Sequence, residues 1–208
     1  MISKTTKDFQ NEVLNNMTFK PYKTENYTIY KNENKPELGY FIKYSREGYY
    51  DFGIGDYTIP VNFSISFEHH EHLMRFGTVY TGETQFEIED NPVSSFSPSS
   101  FFVSEKGIKG KQTWKKGQHL HGAEITIYKK YFDEIIKPNF PKAIDFDNFI
   151  DNYTYRYLPL EISSIIQKLR SMCEVDKITP IYLESKILEC IALLYNEIHS
   201  SPENVFTN

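Results

Sequence analysis

The spacing of apolar residues changes character three times along the chain. Over residues 5–17, Phe9, Val13, Leu14 and Met17 fall near one face at helical spacing, which predicts a short amphipathic helix. From Tyr27 to Tyr128 the pattern switches to short apolar or alternating runs: YTIY, LGYFIKY, VNFSISF, LMRFGTVYTG, TQFEIE, SSFFVSE, KQTW and AEITIY. In VNFSISF the alternation puts Val61, Phe63, Ile65 and Phe67 on one face. Gly82 and Glu83 between VYT and TQFEIE read as a hairpin turn, and Asn91–Ser100 as a polar loop. Gly53, Gly55, Pro60, Gly77, Gly82, Pro92 and Pro98 punctuate the series, and no helical stretch interrupts it. Seven to nine short strands so arranged predict a sandwich or barrel and not a parallel α/β sheet.

After Tyr128 the period is helical. YFDEIIKP runs to Pro138, and FDNFIDNY follows as a short amphipathic turn. Ile162, Ile165, Ile166, Leu169, Met172 and Cys173 then mark the apolar stripe of a first long helix. Pro180 suits the entry to a second, from about Ile181 to His199. That helix carries two stripes. Ile187, Ile191, Leu194 and Ile198 follow 4-3-4 spacing, and Leu188, Ala192 and Tyr195 lie beside them. One stripe can pack on the first helix while the other remains for a second surface. Taking 187, 191, 194 and 198 as the seam for a second copy of the chain predicts a homodimer through the C-terminal helices.

Composition narrows the function classes. Of 208 residues, 16% are aromatic, about twice the ordinary share, with 16 Tyr and 16 Phe to fill strands or line a cavity. The net charge of -5 lacks the footprint of a nucleic-acid binder. The local cluster Lys106, Lys109, Lys111, Lys115 and Lys116 has no interleaved aromatics for base stacking and reads as a solvated loop. Cys173 and Cys190 both sit in apolar helical patterns and read as buried thiols, not a disulfide framework. Asp8 and Glu12 early in the chain argue against a signal peptide, and no run approaches the length of a membrane span, so a cytoplasmic location is expected.

Candidate chemistry centres on TWKKGQHLHGAEITIYKKYF, residues 113–132, which runs from a Lys-rich loop through an H-x-H pair into a strand. His119 and His121 are spaced as two metal ligands on one strand face are, as in metal-dependent cupin enzymes. The companions are misplaced: Gly117 stands too close upstream, and Glu124 falls on the opposite face of a regular strand. A catalytic metal site using His119 and His121 is therefore the alternative reading, and no metal or cofactor is expected. His69, His70 and His72 in HHEH read as solvated histidines in a turn-like bridge between two strands. No nucleophile elbow, phosphate loop or C-x-x-C motif is present, so an enzyme is not expected. Trp114, Arg75, Tyr80, His119, His121 and Glu124, on strands or at their ends, are the candidates for ligand contact.

The order of elements carries a resemblance. GDYTIP comes early in the strand region, RFGTVYTG in its middle, and the G-x-E-I-x-I pattern of Gly122, Glu124, Ile125 and Ile127 at its end. A late helix then carries Tyr182, Glu184, Lys186, Leu188 and Glu189. From about residue 25 to 199 the chain resembles the N-terminal regulatory region of AraC-type transcription regulators, in the branch of the pyochelin-receptor regulators. The resemblance implies a cupin-like antiparallel β-barrel of the double-stranded jelly roll type, followed by an α-helical hairpin. It implies a sensor barrel with a short N-terminal helix over residues 1–158, and a hairpin over 159–200 for dimerisation and signal transmission. It also implies an unknown small-molecule effector; the strand-to-helix junction at Tyr128–Tyr131, which joins the strands directly to helical structure, is the expected lever. Only nine residues follow His199, so DNA contact is expected only through a helix-turn-helix domain absent from this sequence. A carbohydrate-binding or scaffold module with the same fold is a third reading.

Overall fold

The computed structural model describes residues 2–89, 94–96, 98–141, 145–147, 158–173 and 177–200. Helix α1 (Thr6–Asn16) starts where expected, capped by the Thr5 hydroxyl accepting from the Asp8 amide at 3.0 Å. Among the described residues the strands are β1 (Ile2–Ser3), β2 (Lys20–Lys23), β3 (Thr28–Lys31), β4 (Gly39–Arg46), β5 (Tyr50–Thr58), β6 (Phe63–Thr81), β7 (Thr84–Ile88), β8 (Ser94–Phe96), β9 (Ser99–Trp114) and β10 (His119–Tyr128). Three short helical turns, Lys129–Tyr131, Phe132–Ile136 and Lys137–Asn139, continue directly from β10. Helices α2 (Leu160–Cys173) and α3 (Pro180–Ser200) follow. The expected turn FDNFIDNY falls mostly outside the described residues.

The result is a mainly antiparallel sheet with C-terminal helices. Its ladder runs β2-β3-β4-β5-β10-β6-β9-β7-β8, with β1 pairing β6 in parallel. Phe41 on β4 and Trp114 on β9 stand four ladder steps apart, roughly 19 Å in a flat sheet. Both line one small cavity, so the sheet must curl around it.

Three expectations are corrected. VNFSISF and LMRFGTVYTG are one 19-residue strand, β6, and the HHEH segment joining them is no turn but an irregularity in its ladder to β9 between His69 and His72. His69 is buried, its ring 5.8 Å from that of Phe9 and 5.2 Å from that of Phe67. TQFEIE does not form a hairpin with the strand before it: β7 pairs with β8 and β9, because β9 already occupies that edge of β6. Part of the expected loop 91–100 is itself strand, with Ser94–Phe96 pairing β7.

Alternation along the central strands separates two cores. On one face Phe52 and Ile54 of β5, Ile125 and Ile127 of β10, Met74 and Phe76 of β6 and Phe102 of β9 pack with α2 and α3. Ile162, Ile166, Leu169, Leu183, Ile187, Cys190, Ile191 and Leu194 belong to this same core. The stripe Ile187, Ile191 and Leu194, expected to form a self-association seam, is thus spent inside the chain and offers no surface to a partner; the side chain of Ile198 lies outside the described residues. On the other face α1 supplies Leu14 and Met17 to a smaller core with Phe19, Leu38, Ile59, Ile65 and Trp114. Both cysteines are buried thiols outside any disulfide, as their helical positions predict, and burial pushes the Cys190 thiol up to about 12. Among the described residues, no helix is long and apolar enough to cross a membrane.

Glu184 fastens α3 to the sheet. Its carboxylate accepts from Arg46 at the end of β4, from the Tyr131 hydroxyl at 3.2 Å and from the Tyr50 hydroxyl at 3.4 Å. Burial pushes Tyr50 up to about 12, helped by the charge of Glu184. One carboxylate therefore ties α3, the first turn after β10 and the β4–β5 edge together.

Candidate functional site

Between α1 and the concave face of the sheet lies a cavity of about 250 Å³. Phe9, Val13, Leu14 and Met17 of α1 roof it, and Phe41, Tyr57, Phe101, Trp114 and Leu120 supply apolar wall. Its floor is polar, with Lys43, Asp51, Arg75, Glu124 and Thr126. The helix reaches this position because β1 pairs with β6 beside it, and because the Glu71 carboxylate accepts from the Thr6 amide at its N-terminus.

The floor charges are mostly matched. Lys43 Nζ lies 2.9 Å from Asp51 Oδ2 and also donates to Gln10 of α1 at 2.8 Å. Arg75 lies 3.5 Å from Glu105, which opposes Leu73 on the adjoining strand and is buried. Burial raises the Glu105 carboxyl, the charges of Glu124 and Glu71 add to that, and Arg75 opposes it. Burial works against the Arg75 charge, but Glu105, Glu124, Tyr128 and Glu71 together hold it more firmly protonated than usual. Arg75 Nε and Glu105 Oε2 are buried without hydrogen-bond partners. Tyr128, behind Arg75, is raised by burial and by Asp51, to which it donates at 3.3 Å.

Glu124 sits in a cleared space. It opposes Gly53 on β5 and Gly77 on β6, so neither flanking strand places a side chain beside it. A Cβ at Gly77 would stand 2.4 Å from the Ala123 carbonyl oxygen and 2.9 Å from Glu124 Cβ; one at Gly53 would meet the tip of the Phe41 ring at 3.0 Å. Glycine is needed at both positions for the strands to approach this closely and for Glu124 and Phe41 to keep their places.

Of the six residues expected to contact a ligand, four line this cavity. Trp114 is wall, stacked on Phe63 with ring centres 4.7 Å apart; Arg75 and Glu124 are floor. His121 borders the cavity, but its ring lies 5.0 Å from that of Tyr80. Tyr80 does not line the cavity; it packs toward the helical core, with Arg170 of α2 4.7 Å over its ring. His119 is half-exposed outside the cavity, its Nε2 2.7 Å from Asp56 Oδ1. The two histidines therefore do not converge, and among the described residues no three His, Cys, Asp or Glu side chains are grouped to hold a metal. Sequence reading missed Lys43, Asp51 and Glu105 altogether. Their only signal was polarity at inward positions of strands that are otherwise apolar.

Residues 52–205 match the family described as the regulatory protein PchR N-terminal domain. The chain belongs to that family. This PchR-type regulatory domain spans the central strands, the junction and both C-terminal helices within the matched region. No curated protein sequence matches it. Solved structures resemble it distantly. The AraC-like transcriptional activator CuxR aligns over 88% of this chain and 65% of its own, at 11% identity and a TM-score of 0.44. A cupin-2 domain protein from Rhodospirillum rubrum aligns over 53% of this chain and 78% of its own, at 16% identity and a TM-score of 0.32. An RmlC-like cupin protein with a double-stranded β-helix fold, from Methanocaldococcus jannaschii, aligns over 41% of this chain and 75% of its own, at 8% identity and a TM-score of 0.30.

Proposed function

We propose that this PchR-type domain is the effector-sensing and dimerisation part of an AraC-type transcription regulator, is not an enzyme, and leaves DNA contact to a separate helix-turn-helix domain. The observation that carries the sensing half is the cavity under α1, apolar in its walls and polar in its floor, as small-molecule sites are. At about 250 Å³ it suits a small metabolite. Transmission follows from the sheet itself. Its concave face meets the ligand, its other face carries α2 and α3, and Glu184 couples α3 to the turn leaving β10. An effector acts by binding one arrangement of α1, sheet and α3 better than another.

The single tryptophan makes the test direct, because Trp114 lies in the cavity wall. A metabolite screen read by thermal shift is expected to give ligands that also change Trp114 fluorescence. A compound present at a hundred times its dissociation constant should add about 2.7 kcal/mol of stability. Stabilising compounds that leave the fluorescence of Trp114 untouched would place the effector elsewhere.

Self-association, with Ile187, Ile191 and Leu194 buried, falls to the outward face of α3. Ile181, Ser185, Leu188, Ala192 and Tyr195 repeat along it at 4-3-4-3 spacing; Ile181 (81%), Ser185 and Ala192 are exposed, while Leu188 and Tyr195 flank them half-buried against the core. Ile181→Asp together with Ala192→Asp is expected to convert a dimer to a folded monomer in sedimentation velocity. A parent that is dimeric and stays dimeric with both changes would move the interface off α3.

A further inference from the structure

The charge ledger of the cavity is not balanced, and the imbalance defines a ligand. Lys43 is matched by Asp51, and Arg75 by Glu105. Glu124 has no hydrogen bond or ion pair among the described residues, although its charge is felt by Arg75 and Tyr57. It stands on the floor with Gly53 and Gly77 as its immediate cross-strand neighbours, so its carboxylate faces open space instead of a packed side chain. A half-buried carboxylate with only a through-space attraction to Arg75 is left open to a cationic or strongly hydrogen-bonding group. An acidic ligand aimed at Arg75 would meet repulsion from both Glu105 and Glu124.

Resting on the reading of this cavity as the effector site, we propose that the effector is an amphipathic cation, with an ammonium or amidinium head that donates to Glu124 and an apolar body against Phe9, Phe101 and Trp114. The head gains a charge-assisted hydrogen bond in a site of low polarity. The aromatic wall adds favourable cation–π contact near the head and dispersion along the body. The roof of α1 closes over such a ligand with Phe9 and Val13 and contributes no further charge to the cavity.

Three probes of matched shape separate the possibilities: phenethylamine, phenethyl alcohol and hydrocinnamate, cationic, neutral and anionic near neutral pH. Affinities are read from Trp114 fluorescence and confirmed by thermal shift on the whole chain. The amine is expected to bind at least about tenfold more tightly than the other two. Glu124→Gln should erase that preference, while Glu124→Asp, which keeps the charge, should retain part of it. Alcohol or acid binding as well as the amine in the unmodified chain overturns the cationic assignment and leaves the cavity as the effector site. An unchanged amine preference in a folded Glu124→Gln variant also overturns it. If none of the three is bound the cationic assignment falls, and the cavity then stands or falls on the metabolite screen alone.

Discussion

Ile187→Asp is expected to abolish cooperative folding, or to cost more than about 4 kcal/mol in urea unfolding. Ile187 is fully buried in the core shared by α2, α3 and the sheet, where an ionised carboxylate finds no partner. Ile187→Ala should cost about 2–5 kcal/mol by leaving a cavity, and the pair of values separates lost packing from buried charge. The contrast with Ala192→Asp, on the exposed side of the same helix, is the sharp part of the expectation. That change faces outward and should leave the melting curve of the monomer nearly unaltered. Similar damage from both would mean that α3 is covered on every side.

Arg75→Met should be nearly as severe, and its severity should depend on pH. Glu105 is buried and Arg75 is its only ion-pair partner among the described residues, so removing the guanidinium strands a buried charge, typically at about 3–5 kcal/mol. Burial already holds the folded-state carboxyl of Glu105 above its unfolded value, and without Arg75 it rises further. A raised acid means that the folded state binds more protons than the unfolded state between the two values. Stability is therefore lost as pH rises through that window and recovered as pH falls through the raised folded value. Chemical denaturation of Arg75→Met should show a deficit that is largest at neutral pH and shrinks in mild acid. Glu105→Gln in the same background should remove the pH dependence, and a deficit of constant size across pH would show that Glu105 is not its source.

Much of this architecture can be read from periodicity, because burial on one face imposes it. The stripes of α1, α2 and α3 and the alternation in the first part of β6 are visible without coordinates, and so is the passage from strand to helix at Tyr128; β5 was missed, because Gly53 and Gly55 inside it read as punctuation. What failed were features that depend on pairing. HHEH looks like a turn because it is polar, yet the ladder absorbs it as an irregularity in β6, and α1 covers His69. Two apolar stripes on α3 are nearly equivalent by spacing; only the position of the sheet decides that 187, 191 and 194 go inward. The cavity floor was half legible. Glu124 and Arg75 stood out as polar residues on strands, but the clearing around Glu124 is made by Gly53 and Gly77, brought beside it only by strand register. The inward polarity of Glu105 was easily overlooked, since an acidic residue near a Lys-rich segment reads as surface.

The strict alternation of β10 has a consequence for how such a domain can diversify. Glu124 and Thr126 look into the cavity, while Ala123, Ile125 and Ile127 look into the core under the helices, so adjacent codons serve separate tasks. Substitutions at 124 or 126 can change what is recognised without disturbing the hydrophobic contacts that hold α2 and α3. Substitutions at 125 or 127 are filtered by folding before recognition is ever tested. On the proposed sensing role, descendants of this sequence can drift toward new ligands along one face of a single strand while keeping the helical core on the other.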